Sequence, residues 1–149
     1  MDNTINEESK KFSNSLGIQR FKMPQIESKD IEDFINWIEN KHNIKSSKLK
    51  IEVSLLKPTQ DNYNPDKVDQ LKDAPMEVLQ RVVIASNDNY ILDGHHRYLA
   101  LLELNKSEKM NIIKVDTDIK ELLLIADLYP KSFTKGINEG IMSFKEFIM

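Results

Sequence analysis

The stretch Tyr90-Ile91-Leu92-Asp93-Gly94-His95-His96-Arg97-Tyr98-Leu99-Ala100 reads as a strand, a glycine turn and the first turns of a helix. Asn89–Leu92 is extended and apolar, and Asp93-Gly94 stops it. From His95 to about Asn105, Tyr98, Leu99, Leu101 and Leu102 supply apolar faces at helical spacing. Gly94 gives the bend a positive φ or a close backbone approach. A helix that starts this way presents unpaired N–H groups and the positive end of its dipole, which together attract an anion. Arg97, in the first helical turn, offers a planar fork for phosphate oxygens. His95 and His96 are two of the chain's three histidines. They add donors whose charge changes near neutral pH. Asp93 can cap the helix, orient a histidine or hold a phosphate-bound metal. Gly94, His95, His96 and Arg97 are therefore the candidate phosphate-binding residues, and Asp93, His95 and His96 are candidates for catalysis.

Working outward, Val78–Ala85 and Asn89–Leu92 are expected to pair as a hairpin over Ser86-Asn87-Asp88. Lys48–Leu56 alternates as a strand with Ile51, Val53 and Leu55 on one face. It ends at Lys57-Pro58-Thr59-Gln60, followed by the turn-rich Asp61-Asn62-Tyr63-Asn64-Pro65. Asn64 should cap a short helix with Pro65 at its first position, closed by Ala74-Pro75. Downstream, Met110–Val115 reads as a strand and Ile119–Leu128 as a helix, with Asp118 near its start. Toward the N-terminus, a helix from about Ser28 to His42 is capped by Ser28 and carries Ile31, Phe34, Ile35 and Ile38 on one stripe. Trp37 lies beside that stripe and reads as core. Residues 20–26 should be extended, because Pro24 disfavours helix at Met23. Residues 1–16 read as a loose polar arm with a short helix around Glu7–Phe12. Arg20 and Gln25 read as an ordinary surface segment, with folding over a pocket mouth as the alternative. Phe133, Ile137, Ile141, Phe144 and Phe147 suggest a packed helical tail.

These elements predict a single α+β domain: a small mixed sheet with helices packed around it. An N-terminal arm and helix occupy 1–47, the core 48–128 and the helical tail 129–149. The length, 149 residues, suits one domain with a real core. The absence of cysteine removes disulfides, thiolate zinc sites and cysteine nucleophiles together. Adjacent His95 and His96 project differently and lack an evident third ligand, so no dedicated metal site is expected. No apolar run approaches a membrane span. The opening MDNTINEESKK is polar and partly acidic, unlike a signal or transit peptide, so a cytoplasmic protein is expected. A net charge of −3 argues against a DNA-coating protein. Basic residues are lopsided: of 21 Lys and Arg, only three are Arg. Each arginine kept in so lysine-rich a chain is a candidate for a task lysine cannot perform.

Asp93-Gly94-His95-His96-Arg97, followed by an aromatic and small apolar residues, resembles the ParB/sulfiredoxin superfamily, and is especially similar to its free serine kinase-like members. Leu56-Lys57-Pro58-Thr59-Gln60 is similar to that family's Lys-Pro loop facing the nucleotide, and the likeness spans roughly residues 48–128 by element order. Met23-Pro24-Gln25-Ile26 resembles phage-encoded ParB-like proteins, which would place the protein in a host cytoplasm. The resemblance implies a ParB/sulfiredoxin-like fold that binds ATP or ADP, or CTP, with Mg²⁺, and transfers or hydrolyses a phosphoryl group. The acceptor would be a small molecule or a nucleic acid. It adds Lys57, Thr59 and Gln60 to the nucleotide-binding candidates. The kinase-like members have a Glu base where this chain has Gln60, so Asp61 becomes the candidate base. Without cysteine, the sulfinic-acid reduction of sulfiredoxins is excluded. The chain is too short for the DNA reader and dimerisation tail of partition proteins. The alternatives are a ParB-like nuclease or DNA-binding protein, and a nucleotide-binding module without turnover.

Overall fold

The computed structural model describes residues 9–134. The expectations for residues 1–8 and for 135–149 of the helical tail lie outside the described residues; within the described part of that tail, Phe133 lies in a strand and not in a helix. The architecture is α+β, built on a three-stranded mixed sheet with helices on both faces. The strands are β3 (Ser46–Glu52), β6 (Lys109–Val115) and β5 (Val83–Ser86), in the order β3-β6-β5. β6 is central, antiparallel to β3 and parallel to β5. Its buried Met110, Ile112, Ile113 and Val115 divide between the two cores, as in a strand covered on both faces.

Alternation along β5 and β6 divides the core. On one face, Val83, Ala85, Met110 and Ile112 pack with Leu99 and Leu101 of α4 (His95–Leu104) and Val68 of α2 (Pro65–Lys72). On the other, Ile84, Ile113 and Val115 pack with Phe34 and Ile38 of α1 (Ile31–His42) and Leu122 and Ile125 of α5 (Ile119–Leu128). α5 has its expected bounds, and the Asp118 side chain accepts the Glu121 N–H at 2.9 Å. α2 starts as its residues dictate: Asn64 accepts the Asp66 N–H and Pro65 takes the first helical position.

Several elements differ from expectation, among them residues 20–26, where Arg20–Lys22 form a 3-10 turn and only the part around Pro24–Gln25 is extended. Lys48–Leu56 is not one strand: β3 ends at Glu52, and Val53–Leu55 form a 3-10 turn. The turn buries Val53 and leaves Leu55 58% exposed, so the expected common face of Ile51, Val53 and Leu55 is broken. Val78–Ala85 is also divided. Pro75, with φ −60°, launches the short helix α3 (Met76–Leu79), and β5 begins only at Val83. The turn after β5 is as expected: Asn89 donates to the Ser86 carbonyl and Ser86 to that of Tyr90. The return segment is held by single bridges, Ala85 to Ile91 and Lys57 to Tyr90. Ser28 opens a 3-10 turn rather than capping α1 directly, and the α-helix begins at Ile31.

The arm is structured where it is described. β1 (Lys10–Lys11) pairs with β4 (Asn62–Tyr63), in place of the expected helix around Glu7–Phe12. Leu16 and Ile18 donate to the carbonyls of Pro58 and Thr59, and Asp61 donates back to Ile18. β2 (Pro24–Gln25) pairs with β7 (Phe133–Thr134), with Gln25 opposite Phe133. Met23 and Ile26, flanking β2, are buried. β2 and β7, far apart in sequence, thus form a two-stranded strap that shares a cleft with the Gly94 turn.

Candidate functional site

Gly94 is the N-cap of α4, at φ 94°. A Cβ on it would lie 2.8 Å from Val83 Cγ2 and 2.9 Å from Arg97 Nη2, so space as well as backbone conformation demands glycine there. The Gly94 carbonyl accepts the Tyr98 N–H, the first bond of the helix. Asp93 stands one residue outside the cap, and its Oδ1 accepts the Gly94 N–H at 2.8 Å.

The histidines that follow face a backbone loop. Nε2 of His95 accepts the N–H groups of Thr59 at 3.0 Å and Gln60 at 3.2 Å. Nε2 of His96 accepts the Asn64 N–H at 3.1 Å. A nitrogen that accepts from a backbone amide carries no proton, so both rings are held with Nε2 as acceptor. Burial pushes the His95 pKa down to about 3, keeping that ring neutral at physiological pH. The pair therefore fastens residues 59–64 onto the start of α4.

Arg97 turns from the helix toward β5, and its Nη1 donates to the Arg81 carbonyl at 2.6 Å. Its guanidinium packs over Gly94. Burial pulls its pKa below the usual arginine value, while the nearby Asp93 carboxylate works in the opposite direction.

These residues form the floor of a cleft of about 340 Å³. Its walls come from α2, from the link between α3 and β5, from the strap and from the segment after it. Asp93, Gly94, His95, His96, Arg97 and Gln60 line it, which brings six of the sequence candidates together. Lys57, Thr59 and Asp61 stand apart from its lining. The Lys57 ammonium sits 4.4 Å from the centre of the Tyr90 ring. The Thr59 hydroxyl is fully buried and donates to the Ile91 carbonyl at 2.6 Å. Asp61 ties the loop to the arm through its backbone, and its Oδ1 is buried without a hydrogen-bond partner among the described residues.

Sequence reasoning missed Lys67, Arg81, Glu27 and Phe133, which also line the cleft, and placed Arg20 and Gln25 on an ordinary surface segment when they form part of its wall. One signal was available. All three arginines of the chain, Arg20, Arg81 and Arg97, line this one cleft although they are far apart in sequence. With Lys67 they place four cationic side chains around it against the carboxylates of Glu27 and Asp93, in a chain of net charge −3. Among the described residues, no three of His, Asp or Glu converge as a metal site, and no helix is long and apolar enough to cross a membrane.

Compared with protein-family models, with curated proteins and with solved structures, the chain matches none.

Proposed function

We propose that this chain binds a nucleotide in the cleft, with its phosphates at the Gly94 turn. The observation that carries this reading is that all three arginines line the one cleft into which the α4 N-terminus also opens. Guanidinium forks match phosphate oxygens bidentately, and the first N–H groups of α4 add donors and the positive dipole end. The resemblance of Asp93–Arg97 to the ParB/sulfiredoxin turn supports the same placement. A cleft of about 340 Å³ suits a small ligand rather than the backbone of a duplex, which favours nucleotide over the DNA-binding and nuclease readings.

Phosphoryl transfer is the second reading, favoured by one observation: the Asp93 carboxylate lines the cleft beside the Arg97 guanidinium. Positioning and charge neutralisation are most of what such a reaction needs from a protein. Here His95 and His96 act as positioning residues, because their Nε2 atoms are engaged by backbone amides. Acid–base work falls to Asp93, with Glu27 the other carboxylate of the cleft. Mg²⁺ carried by the phosphates would meet these same two carboxylates and would screen charge on the transferring group.

The test is a thermal-shift series with ATP, ADP, CTP and GTP, each with and without Mg²⁺, on wild type and Arg97→Ala. A ligand that binds only the folded state raises the melting temperature by mass action, by about 2.7 kcal/mol of stability at a hundredfold excess over Kd. A shift with wild type that is lost in Arg97→Ala supports the reading, and no shift with any nucleotide overturns it. Release of phosphate, or its transfer to an added acceptor, that is lost in Asp93→Asn separates turnover from binding alone.

A further inference from the structure

We infer that the strap reads the base of the bound nucleotide, with Phe133 as the stacking platform and Gln25 as the hydrogen-bonding edge. This rests on the phosphate-binding reading above and adds the other end of the ligand. Gln25 and Phe133 are directly opposite in the antiparallel β2–β7 ribbon. Directly opposed residues project from the same face of a ribbon, and both of these line the cleft.

The chemistry of this wall differs from that of the floor. Arg97 and the Gly94 turn offer charge and backbone donors, whereas the strap offers a flat apolar ring beside a planar amide. Phe133 is only half-buried, and no other ring among the described residues packs against it. The Gln25 Nε2 makes one long bond, 3.4 Å, to the Met23 carbonyl, and its Oε1 accepts none from a described residue. An aromatic face with an adjacent donor and acceptor suits a planar heterocycle: rings stack on Phe, and amides pair with base edges.

Two short strands hold this pair, joined in the Pro24–Thr134 and Gln25–Phe133 register. Pro24 and the buried Met23 and Ile26 anchor the β2 side, so the amide is presented from a fixed backbone. The base-reading wall is thus assembled from β2 and β7, far apart in sequence, and the phosphate floor from the turn between them.

The test is calorimetric titration of wild type, Phe133→Leu, Phe133→Tyr and Gln25→Met with ATP, GTP, CTP, UTP and inorganic tripolyphosphate. The expected result is that at least one nucleotide binds wild type about tenfold more tightly than tripolyphosphate, the advantage one stacked base provides. Phe133→Leu should erase that advantage and leave tripolyphosphate binding unchanged, whereas Phe133→Tyr should keep it. Gln25→Met should narrow the spread among the four bases. Fluorescence of Trp37, the single tryptophan, checks that each variant is folded. Tripolyphosphate binding as tightly as every nucleotide overturns the base-reading strap and leaves the phosphate site standing. A nucleotide advantage that survives in Phe133→Leu also overturns it. Binding of neither nucleotide nor tripolyphosphate overturns both readings.

Discussion

The Nε2 of His95 lies 3.0 Å from the backbone nitrogen of Thr59 and accepts its hydrogen bond, joining the first residue of α4 to a loop far upstream. The same lone-pair region also receives the Gln60 N–H. A side chain that looks like a catalytic histidine in sequence is thereby the acceptor for two buried amides. His95→Phe keeps a ring of similar size and accepts nothing. Leaving two buried donors without a partner costs about 2–5 kcal/mol, and the melting temperature should fall by roughly 5–15 °C. Hydrogen exchange at the Thr59 and Gln60 amides should accelerate more than exchange along β6. Unchanged exchange at those two amides would show that the ring is not their acceptor.

The same burial makes a pH prediction. The folded-state pKa of His95 is pushed down to about 3, below the value near 6.5 of an unfolded chain. Below pH 6.5 the unfolded state therefore takes up a proton that the folded state refuses. The stability from a neutral His95 is present above pH 6.5 and is lost as pH falls toward 3, by about 1.4 kcal/mol per pH unit. Melting temperatures at pH 7 and pH 5 should differ more for wild type than for His95→Phe. The difference between the two proteins isolates this ring, because His42 and His96 are present in both. Equal slopes would mean that His95 takes up its proton over the same pH range in the folded and unfolded states.

Gly94→Ala makes a third prediction, on the turn itself. The φ of 94° costs an L-residue about 1–2 kcal/mol. The new methyl group would also meet Val83 Cγ2 at 2.8 Å and Arg97 Nη2 at 2.9 Å. Val83 is buried in the core and cannot retreat, so the Arg97 guanidinium must move. Gly94→Ala should lower stability by about 2 kcal/mol and weaken nucleotide binding nearly as much as Arg97→Ala does. Thermal melts and titrations on the two variants check this. A destabilised variant with full affinity would separate the turn from the site.

Local rules explain which parts were legible in the sequence. Asn64-Pro65, Asp118 and Gly94 act within a few residues, so the starts of α2, α5 and α4 could be read directly. The interruption of Lys48–Leu56 could not, because an apolar alternation looks the same whether Leu55 reaches the core or points to solvent. The split of Val78–Ala85 has its cause in Pro75, which closes one helix and also starts the next, so that Val78 and Leu79 are helical. At the site, the Gly94 turn was legible, but the hydrogen bonds of His95 and His96 depend on where a distant loop docks. The arm was misread for the same reason. Its residues are polar and few, and only tertiary pairing with residues 58–63 and with Phe133 makes it a wall. Arginine scarcity marked the residue type as informative but did not place Arg20 and Arg81 in the cleft of Arg97.

That tertiary dependence can be tested at Phe12, the apolar anchor of the arm. Its ring packs 4.8 Å from Tyr63, 5.6 Å from His95 and 6.3 Å from Tyr98, centre to centre, and it is buried. Removing such a ring costs about 3–5 kcal/mol where the structure cannot collapse. An arm held mainly by short pairings and one ring should release locally before the domain unfolds. Phe12→Ala should therefore expose the arm to limited proteolysis while β6 and α5 stay protected from hydrogen exchange. Because the arm continues to Arg20 and Gln25, the variant should also bind nucleotide more weakly, with no change to any residue of the cleft floor. Faster cleavage with undiminished affinity would mean that the ligand is held by the Gly94 turn, Arg81 and Arg97 alone, and that the arm's arginine is not part of the site. Slow cleavage and full affinity together would show that the backbone pairings of Leu16 and Ile18 suffice to hold the arm without the ring.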